Sequence, residues 1–554
     1  MGIGTKWNIE GRSTDVSATL QNSYMPSKSL ADSRKKKPHG QYFTPRHIAN
    51  LMLSIAHTQE DGAVLEPSSG TGVFLDALCD NGYTKISAVE IDPLLAHHTR
   101  VAVVNQSFLS FKTDEAYDLI IGNPPYIRWR DLSNAEQDEV KNHSLFGELF
   151  NSLSDYLTVF IASSITLLSD GGELIFITPS FWMHTQHSKN LRDWMLDKGS
   201  ISDIIEFGEA QVFPGVSSSI IIFRFVRNRY VKTLKHYRYC GPRKVPCTIL
   251  NFDSPELFKR LEIRPFLRNE HWTIANTEES LQLERFEKAC QQEHNIIPPP
   301  FPQSRIIDMV DIANGMVSGL DRAFRLPIEM HDQLTDQEKS VLLEVLKAKD
   351  ISNIVSKGVT NYIYIEKGLT EEYVRAVYPH LFKHLSAFKE ELLDRYSYNR
   401  DLPFWEWAFP RSEKFFFNGA AKGMVPCKER ITNRELIRFT YARPGLIATQ
   451  DVTAFAPHAG TRESLEYIIS FLNTPQVSKW IRLRGLIKGG VAEFSERPLG
   501  EIPFRRINWQ DPVEVEAHDS ITALIQSAIL NQSVSAQQHH ELQAIWDEIL
   551  IRVE

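Results

Sequence analysis

The segment from Asp118 to Tyr126 has the residue types needed to hold an amino group attached to an aromatic ring. It is an apolar, strand-like run that ends in Asn123-Pro124-Pro125-Tyr126. Each proline removes an N–H donor and stiffens the backbone, so carbonyl groups are left to accept hydrogen bonds. The side-chain carbonyl of Asn123 adds an acceptor, and Tyr126 offers a flat face for stacking.

These acceptors predict methyl transfer to an exocyclic amino group. Such a group is a poor nucleophile because its lone pair is delocalised into the ring. Two acceptors that hold its two N–H groups draw the nitrogen toward tetrahedral geometry and aim the lone pair at a sulfonium methyl. Positioning and fixed dipoles then promote the reaction, and no strong general base is required. A buried structural turn is the alternative interpretation of the same residues.

A glycine-containing turn and an acidic strand end predict a nucleoside-bearing cofactor. Residues 65–72 have the sequence LEPSSGTG, between an apolar strand and a helical run, and such glycines let a ligand approach the backbone. Glu90 ends the next apolar strand, where a carboxylate suits a ribose diol. Leu75 stands where a third glycine would complete GxGxxG, which disfavours NAD and leaves an adenosyl cofactor without a pyrophosphate. A tight turn and an exposed glutamate are the alternative.

The elements that must position these residues follow an α/β pattern from about 39 to 250. Short apolar runs alternate with helical segments, which predicts a doubly wound, mostly parallel sheet with ligands at the carboxyl ends of its strands. Strands are predicted at 63–65, 86–89, 117–121, 173–177, 201–206 and 220–225, and helices at 46–57 and 156–168.

Changes in composition divide the chain into five parts. Residues 1–38 form a polar arm that ends in a basic run, and 39–250 form the catalytic domain. Residues 251–300 are predicted to be a helical linker that ends in three prolines, since such a triplet cannot continue a helix. Residues 301–510, rich in aromatics and turns, are predicted to form an α+β domain, followed by C-terminal helices at 511–554.

The bulk composition is that of a globular, cytoplasmic protein. Of the 554 residues, 42% are hydrophobic and the net charge is −8, which argues weakly against nucleic acid unless basic residues cluster locally. The five cysteines include no CxxC pair, so neither a metal site nor a disulfide framework is predicted. No signal-peptide core and no run of 18 apolar residues occurs, so no membrane contact is expected.

Five motifs in this order resemble the gamma group of N6-adenine DNA methyltransferases of type II restriction–modification systems. They are Gly40-Gln41-Tyr42-Phe43-Thr44-Pro45, the glycine turn, Glu90, Asn123–Tyr126 and Val212-Phe213-Pro214. The resemblance covers about 39–250 and implies the class I S-adenosylmethionine-dependent methyltransferase fold. It also implies S-adenosylmethionine as cofactor, double-stranded DNA as substrate and transfer to N6 of a flipped-out adenine.

The resemblance further implies the role of each motif. The first motif and the glycine turn bind the cofactor, with Phe43 and Thr44 against its methionine part, and Asn-Pro-Pro-Tyr binds the target adenine. The implied catalytic residues are Asn123, Pro124, Pro125, Tyr126 and Phe213, the last two stacking on the base. The implied cofactor-binding residues are Tyr42, Phe43, Thr44, Pro45, Glu66, Ser68, Gly70, Gly72, Glu90, Ile91, Ser107, Phe108 and Asn123.

One position departs from the family pattern. The family has an acidic residue, followed by Phe, that holds the adenine N6 of the cofactor, and here the residues are Ser107 and Phe108. Phe108 can still stack on the adenine, whereas a neutral hydroxyl is a weaker acceptor. On this basis Ser107→Asp is expected to tighten cofactor binding or to leave it unchanged.

The downstream part resembles the family's target-recognition domain more loosely. Its opening matches Asn314–Gly319 with Phe324, and its end matches 471–474, Gly489-Gly490 and 499–503. Basic residues in this part are candidates for phosphate contacts, with a solvated helix face as the alternative. They are Arg482, Arg484, Lys488, Arg497, Arg505 and Arg506.

Other activities share Asn-Pro-Pro-Tyr and stay open at this point. They are methylation of RNA adenine, methylation of protein glutamine, and a catalytically silent subunit that only provides DNA specificity. The long C-terminal part favours a polymer read by sequence, and the intact Asn123–Tyr126 favours catalysis. We expect a protective modification enzyme of the prokaryotic cytoplasm or nucleoid, without nuclease activity of its own and consistent with a separately encoded endonuclease.

Overall fold

The computed structural model describes residues 43–152, 154–213, 219–269, 272–291, 304–395, 402–432, 434–488 and 490–551. Tyr42, Pro214, the predicted arm at 1–38 and the three prolines at 298–300 therefore lie outside the described residues. In the part of the chain that is described, no helix is both long and apolar enough to cross a membrane.

A nine-stranded sheet forms the N-terminal half. Its strands are β1 (Ala63–Glu66), β2 (Lys85–Glu90), β3 (Val103–Asn105), β4 (Tyr117–Gly122), β5 (Leu168–Pro179), β6 (Gly199–Glu206), β7 (Ile220–Arg227), β8 (Leu234–Tyr239) and β9 (Phe258–Ile263). They lie in the order β3-β2-β1-β4-β5-β7-β6-β8-β9. Strands β1 to β5 pair in parallel, whereas β7 runs antiparallel to β5 and β6. The predicted doubly wound, mostly parallel sheet is confirmed.

Helices cover both faces of this sheet, which is why its central strands are apolar throughout. The helices are α1 (Arg46–Leu53), α2 (Val73–Asp80), α3 (Asn134–Lys141), α4 (Tyr156–Thr166) and α5 (Lys189–Lys198). Helix α6 (Thr277–Cys290) follows the last strand and belongs to the C-terminal core. Ile120 and Leu174 face the core under α4 and α5, whereas Ile121 and Ile175 face the core under α1 and α2. Alternate residues of one strand thus belong to different cores.

The predicted helices begin where expected but end earlier. Helix α1 stops at Leu53 rather than at 57, and the chain then turns so that the backbone N–H of His57 donates to Glu173 at 3.0 Å. Helix α4 stops at Thr166 because Leu168 already begins β5. Short 3-10 helices lie at Phe108–Ser110, Trp129–Asp131, Ser180–Met183, Gln186–Ser188, Ile306–Asp308, Ile328–Gln333 and Ala348–Asp350.

The prediction that 251–300 is a helical connection is wrong for its first half. Strand β9 pairs antiparallel with β8 and extends the large sheet past residue 250. Its ends, Phe258 and Ile263, are buried, while the residues between them are exposed or half-buried, as at the edge of a sheet. Only α6 is helical, and it packs through Leu283 and Phe286 into the C-terminal core.

Three smaller sheets and further helices form the C-terminal half. The strands are β10 (Val310–Asn314), β11 (Leu342–Leu346), β12 (Ile354–Val355), β13 (Thr360–Ile363), β14 (Lys422–Pro426), β15 (Lys428–Arg430), β16 (Thr440–Ala442), β17 (Ile447–Ala448), β18 (Val452–Pro457), β19 (Ile487–Lys488) and β20 (Val491–Glu493). The sheets have the orders β10-β18-β14-β16-β12, β13-β11-β17 and β15-β20-β19.

The helices of this half are α7 (Asp321–Phe324), α8 (Asp336–Lys339), α9 (Glu371–Val377), α10 (Pro379–Ser386), α11 (Lys389–Asp394), α12 (Glu413–Phe416), α13 (Leu465–Leu472), α14 (Pro475–Arg484), α15 (Glu496–Gly500), α16 (Pro512–Leu530) and α17 (Ala536–Ile551). Small mixed sheets combined with helices make an α+β arrangement, as predicted. The last two helices pack onto the same core as α13, where Trp546 donates to Ser470 at 2.9 Å.

Candidate active site

A cavity that is partly open to solvent, with about 680 Å³ of empty space, lies beside the carboxyl ends of β1, β2 and β4. Its lining residues come from the glycine turn, from the ends of those strands and from the helices that follow. They are Phe43, Pro67, Ser68, Gly70, Glu90, Ile91, Ser107, Phe108, Asn123, Pro124, Pro125, Ile127, Glu136, Tyr156 and Phe160. Ten of the residues predicted from sequence are therefore brought together in one place.

The glycine turn between β1 and α2 uses its glycines for backbone geometry. Gly70 and Gly72 have φ values of +51° and +81°, a left-handed conformation that side-chain-bearing residues rarely adopt. A Cβ atom on Gly72 would also lie 2.7 Å from the ring of His98. Ser68 and Gly70 of this turn line the cavity, whereas Gly72 does not.

Glu90 is fixed with its carboxylate at the cavity wall. Its Oε2 accepts from the Gly70 N–H at 2.7 Å, and its Oε1 accepts from the Asp92 N–H at 2.9 Å. The residue is only 5% exposed. Each carboxylate oxygen can accept a further hydrogen bond. This arrangement suits two hydroxyl donors, such as the diol of a ribose.

Glu66 lies beneath the glycine turn and is completely buried, with 0% exposure. Neither carboxyl oxygen has a hydrogen-bond partner among the described residues. Burial raises the pKa of Glu66 well above its ordinary value, and the charge of Glu90 adds to this. A buried carboxyl without a partner would be satisfied by a donor or a cation from a ligand. Glu66 does not line the cavity, so its predicted part in cofactor binding stays a prediction.

The Asn123–Tyr126 turn is hydrogen-bonded to Thr44 and Ser68, two residues predicted to bind the cofactor. The Asn123 amide donates to Thr44 Oγ1 at 3.1 Å, and the Ser68 hydroxyl donates to the Asn123 backbone carbonyl at 3.2 Å. The Tyr126 hydroxyl makes short hydrogen bonds with the Asn123 Oδ1 and, at 2.6 Å, with the Ile177 carbonyl. A carbonyl oxygen has two lone pairs, so Asn123 Oδ1 can accept from Tyr126 and from a second donor together.

Some predicted residues are placed away from the cavity. Pro45 begins α1, and its carbonyl accepts from the Ile48 and Ala49 N–H groups. Tyr126 packs against the core under α4 rather than into the cavity. Phe213 is 2% exposed and belongs to the core under α1 and α2, so stacking on a base would require it to leave this packing. Its stacking role stays a prediction.

The sequence interpretation missed one wall of the cavity. Helices α3 and α4 contribute Glu136, Tyr156 and Phe160, and the Phe160 ring lies 4.9 Å from that of Phe108. Burial raises the pKa of Tyr156, and the charge of Glu139 adds to this, so the phenol stays neutral. The i,i+4 spacing of two aromatics at the start of α4 was the available signal.

The candidate phosphate contacts are mostly structural arginines, which corrects the expectation of a basic face. Arg505 is 1% exposed and donates to Glu514 at 2.8 Å. The other arginines also have partners within the chain. The pairs are Arg506–Glu463, Arg484–Glu287, Arg482 with the Ile431 carbonyl, and Arg497–Glu501, which is exposed. The Lys488 side chain lies outside the described part. Buried cations need such partners, and these arginines find them inside the chain.

The described residues contain no group of three or more His, Cys, Asp or Glu that could hold a metal ion. The residues that are present fit S-adenosylmethionine instead. Glu90 is placed for a ribose and Phe108 for an adenine ring. Asn123 lines the same cavity as these residues.

Comparisons with known proteins agree with this site. The Eco57I restriction-modification methylase family matches residues 73–213, and the N-6 DNA Methylase family matches residues 28–91. A solved type IIL restriction-modification enzyme, MmeI in complex with DNA, has a similar fold, with a TM-score of 0.59 and 12% identity over 92% of this chain and 72% of that chain. S-adenosylmethionine is the cofactor of this protein.

Two full-length relatives come from Haemophilus influenzae. The type II methyltransferase M.HindII is 37% identical over 94% of this chain and 100% of its own length. The type II methyltransferase M.HincII is 36% identical over the same shares of the two chains. Because these matches span both halves of the fold, the chain belongs to the type II methyltransferases of restriction–modification systems.

Proposed function

We propose that the protein methylates N6 of adenine at a specific sequence in double-stranded DNA. The observation that carries this proposal is that Asn123, Pro124 and Pro125 line the same cavity as Glu90. A carboxylate placed for a ribose and an amide placed for an amino group thus line one cavity. The relatives and the matching families are consistent with this specificity.

In this proposal the target adenine leaves the duplex and enters the cavity next to Asn123, as in other enzymes that act on a base. The side-chain carbonyl of Asn123 and the backbone carbonyl of Pro124 accept the two N6–H bonds. S-adenosylmethionine supplies an electrophilic methyl when bound. The double proline keeps both acceptors fixed, so little reorganisation is needed as the nitrogen becomes tetrahedral.

Stacking would hold the extruded base in place. Each base–aromatic contact contributes about 1–3 kcal/mol in single-strand complexes. The candidates are Tyr126 and Phe213, and both need a local rearrangement because Tyr126 is hydrogen-bonded to Ile177 and Phe213 is buried. We assign this rearrangement to DNA binding. The N6 proton released after transfer can pass to solvent, because a methylated, protonated amine is strongly acidic.

The C-terminal half is proposed to select the target sequence through base edges in the major groove. The activity would take place in the prokaryotic cytoplasm or nucleoid, where it would protect DNA from a separately encoded endonuclease. The alternatives are a methyltransferase for RNA adenine or protein glutamine, and a silent specificity subunit.

The test uses S-adenosylmethionine with a labelled methyl group. Duplex DNA, structured RNA and a protein extract are offered separately, with Asn123→Ala as the inactive control. The proposal predicts label in DNA alone, recovered as N6-methyladenine at one sequence. Label in RNA or protein, or none with any substrate, would overturn it.

A further inference from the structure

The serine that departs from the family pattern lies at the cavity wall with a carboxylate behind it. Ser107 lines the cavity next to Phe108, and its Oγ accepts from the Leu109 N–H at 3.3 Å at the start of a short 3-10 helix. The same hydroxyl donates to Oε2 of Glu139 at 2.8 Å. Ser110 donates to the other oxygen of Glu139. Glu139, which lies 32 positions further along the chain, thus places a negative charge next to Ser107.

Helix α3 holds Glu139 in this position. Ser133 and Glu136 form a capping box that fixes the start of the helix, and buried Val140 anchors its end. Glu136 lines the cavity, and Glu139 follows three residues later on the same helix face. Both oxygens of Glu139 are used by serine hydroxyls of the segment that carries Ser107. The carboxylate is therefore aimed at that segment and not at solvent.

This contact decides what Ser107 can offer to a ligand. A serine hydroxyl has one proton and two lone pairs. Glu139 holds the proton and the Leu109 N–H uses one lone pair, so toward the cavity Oγ can only accept one further hydrogen bond. A hydroxyl that donates to a carboxylate is also polarised, which strengthens the bond it accepts. Without Glu139 the hydroxyl could rotate and point its proton at an incoming amino group.

We propose that Ser107 and Glu139 together replace the acidic residue that holds the adenine amino group of the cofactor. Ser107 Oγ accepts the N6–H, and Glu139 is a positioning residue that orients and polarises the hydroxyl. The inference rests on the cofactor orientation proposed above, with ribose at Glu90 and adenine at Phe108. It also reverses the earlier expectation for Ser107→Asp, because a carboxylate there would face Glu139 at about the present 2.8 Å.

The experiment compares two ligands by calorimetric titration. One is S-adenosylhomocysteine, and the other is the analogue in which hydrogen replaces the 6-amino group. The wild type is expected to prefer the amino form by about tenfold, the upper end of the range for a neutral hydrogen bond. Glu139→Gln and Glu139→Ala should reduce this preference to about twofold or less by weakening only the amino form.

Matched variants separate this role from a structural one. Asp138→Asn removes the same charge from an exposed position on α3 and should keep the preference. Ser107→Asp alone should weaken the amino form, and the double variant Ser107→Asp with Glu139→Gln should restore it, because one carboxylate again faces the adenine.

Four outcomes would overturn the inference while the proposed function stands. The wild type could bind both ligands equally well, or both Glu139 variants could keep the full preference for the 6-amino ligand. The Glu139 variants could also weaken both ligands equally, or the preference could be lost in Glu136→Gln instead. A wild type that binds neither ligand would instead count against the proposed function.

Discussion

Replacing Glu90 by glutamine tests the cofactor site with almost no change in shape. In the wild type both carboxylate oxygens accept a backbone N–H, from Gly70 at 2.7 Å and from Asp92 at 2.9 Å. A glutamine amide has only one acceptor oxygen, so one of these N–H groups would face an NH₂ group. The variant therefore loses a buried hydrogen bond as well as the charge that would hold the ribose.

The expected loss follows from these contacts. Hydrogen bonds to a charged group contribute about 1.5–3 kcal/mol each, and the diol of a ribose would make two. Because Glu90 is buried, solvent screening reduces this value little. The glutamine oxygen can still accept one hydrogen bond, so the lower bound is the loss of one bond to a charged group, about 1.5 kcal/mol or roughly tenfold weaker binding. The orphaned N–H should also lower the stability of the turn by about 1–3 kcal/mol.

Calorimetric titration with S-adenosylhomocysteine measures the loss, and thermal denaturation shows whether the variant is folded. Asp92→Asn is the matched control, because it removes a carboxylate two residues away that accepts from the Leu94 N–H. We expect the control to bind within about threefold of the wild type. Binding of Glu90→Gln within the same range would refute the assignment of Glu90 to the ribose.

Three further predictions concern other parts of the account. Asn123→Ala should abolish methyl transfer while cofactor affinity, measured in parallel, changes by less than about tenfold; normal turnover would contradict its role. Burial raises the pKa of Glu66, so the folded protein binds a proton that the unfolded chain has lost at the same pH. The free energy of unfolding should therefore fall as the pH rises from the ordinary pKa of a carboxyl group to the raised pKa of Glu66. Glu66→Gln should remove that part of the decline, which thermal denaturation between pH 5 and pH 8 would reveal as a shallower slope; identical slopes would be evidence against a neutral Glu66. A fragment of residues 1–250 lacks β9 and should fold poorly and methylate no defined site, and site-specific methylation by it would locate target recognition upstream of 250.

The sequence predicted the central sheet because its strands are short apolar runs that are followed by polar residues of recognisable motifs. Glu90 and Asn123 come directly after such runs, and parallel strands bring their carboxyl ends to one edge. Strand β9 was missed because it lies at an edge, where Phe258 and Ile263 bury only its two ends. Helix α1 ended early for a reason that no local pattern shows, the contact of His57 with Glu173.

The remaining errors concern contacts between residues far apart in the chain. Ser107 seemed to lack a carboxylate because Glu139 follows 32 residues later on a different element. Arg505 looked like a phosphate ligand because the sequence does not show that Glu514 lies 2.8 Å away. Phe213 has the motif of a stacking residue but lies in a core. Motif spacing identifies a chemistry, whereas these partners depend on the tertiary fold.

The most direct test of the central claim is the chemical identity and position of the transferred methyl group. Duplex DNA of mixed sequence is incubated with the protein and isotopically labelled S-adenosylmethionine, then divided for nucleoside mass spectrometry and for methylation-sensitive sequencing. The account predicts labelled N6-methyldeoxyadenosine at one recurring sequence, and none with Asn123→Ala. Label on cytosine, or no label in DNA from a folded protein that binds the cofactor, would contradict it.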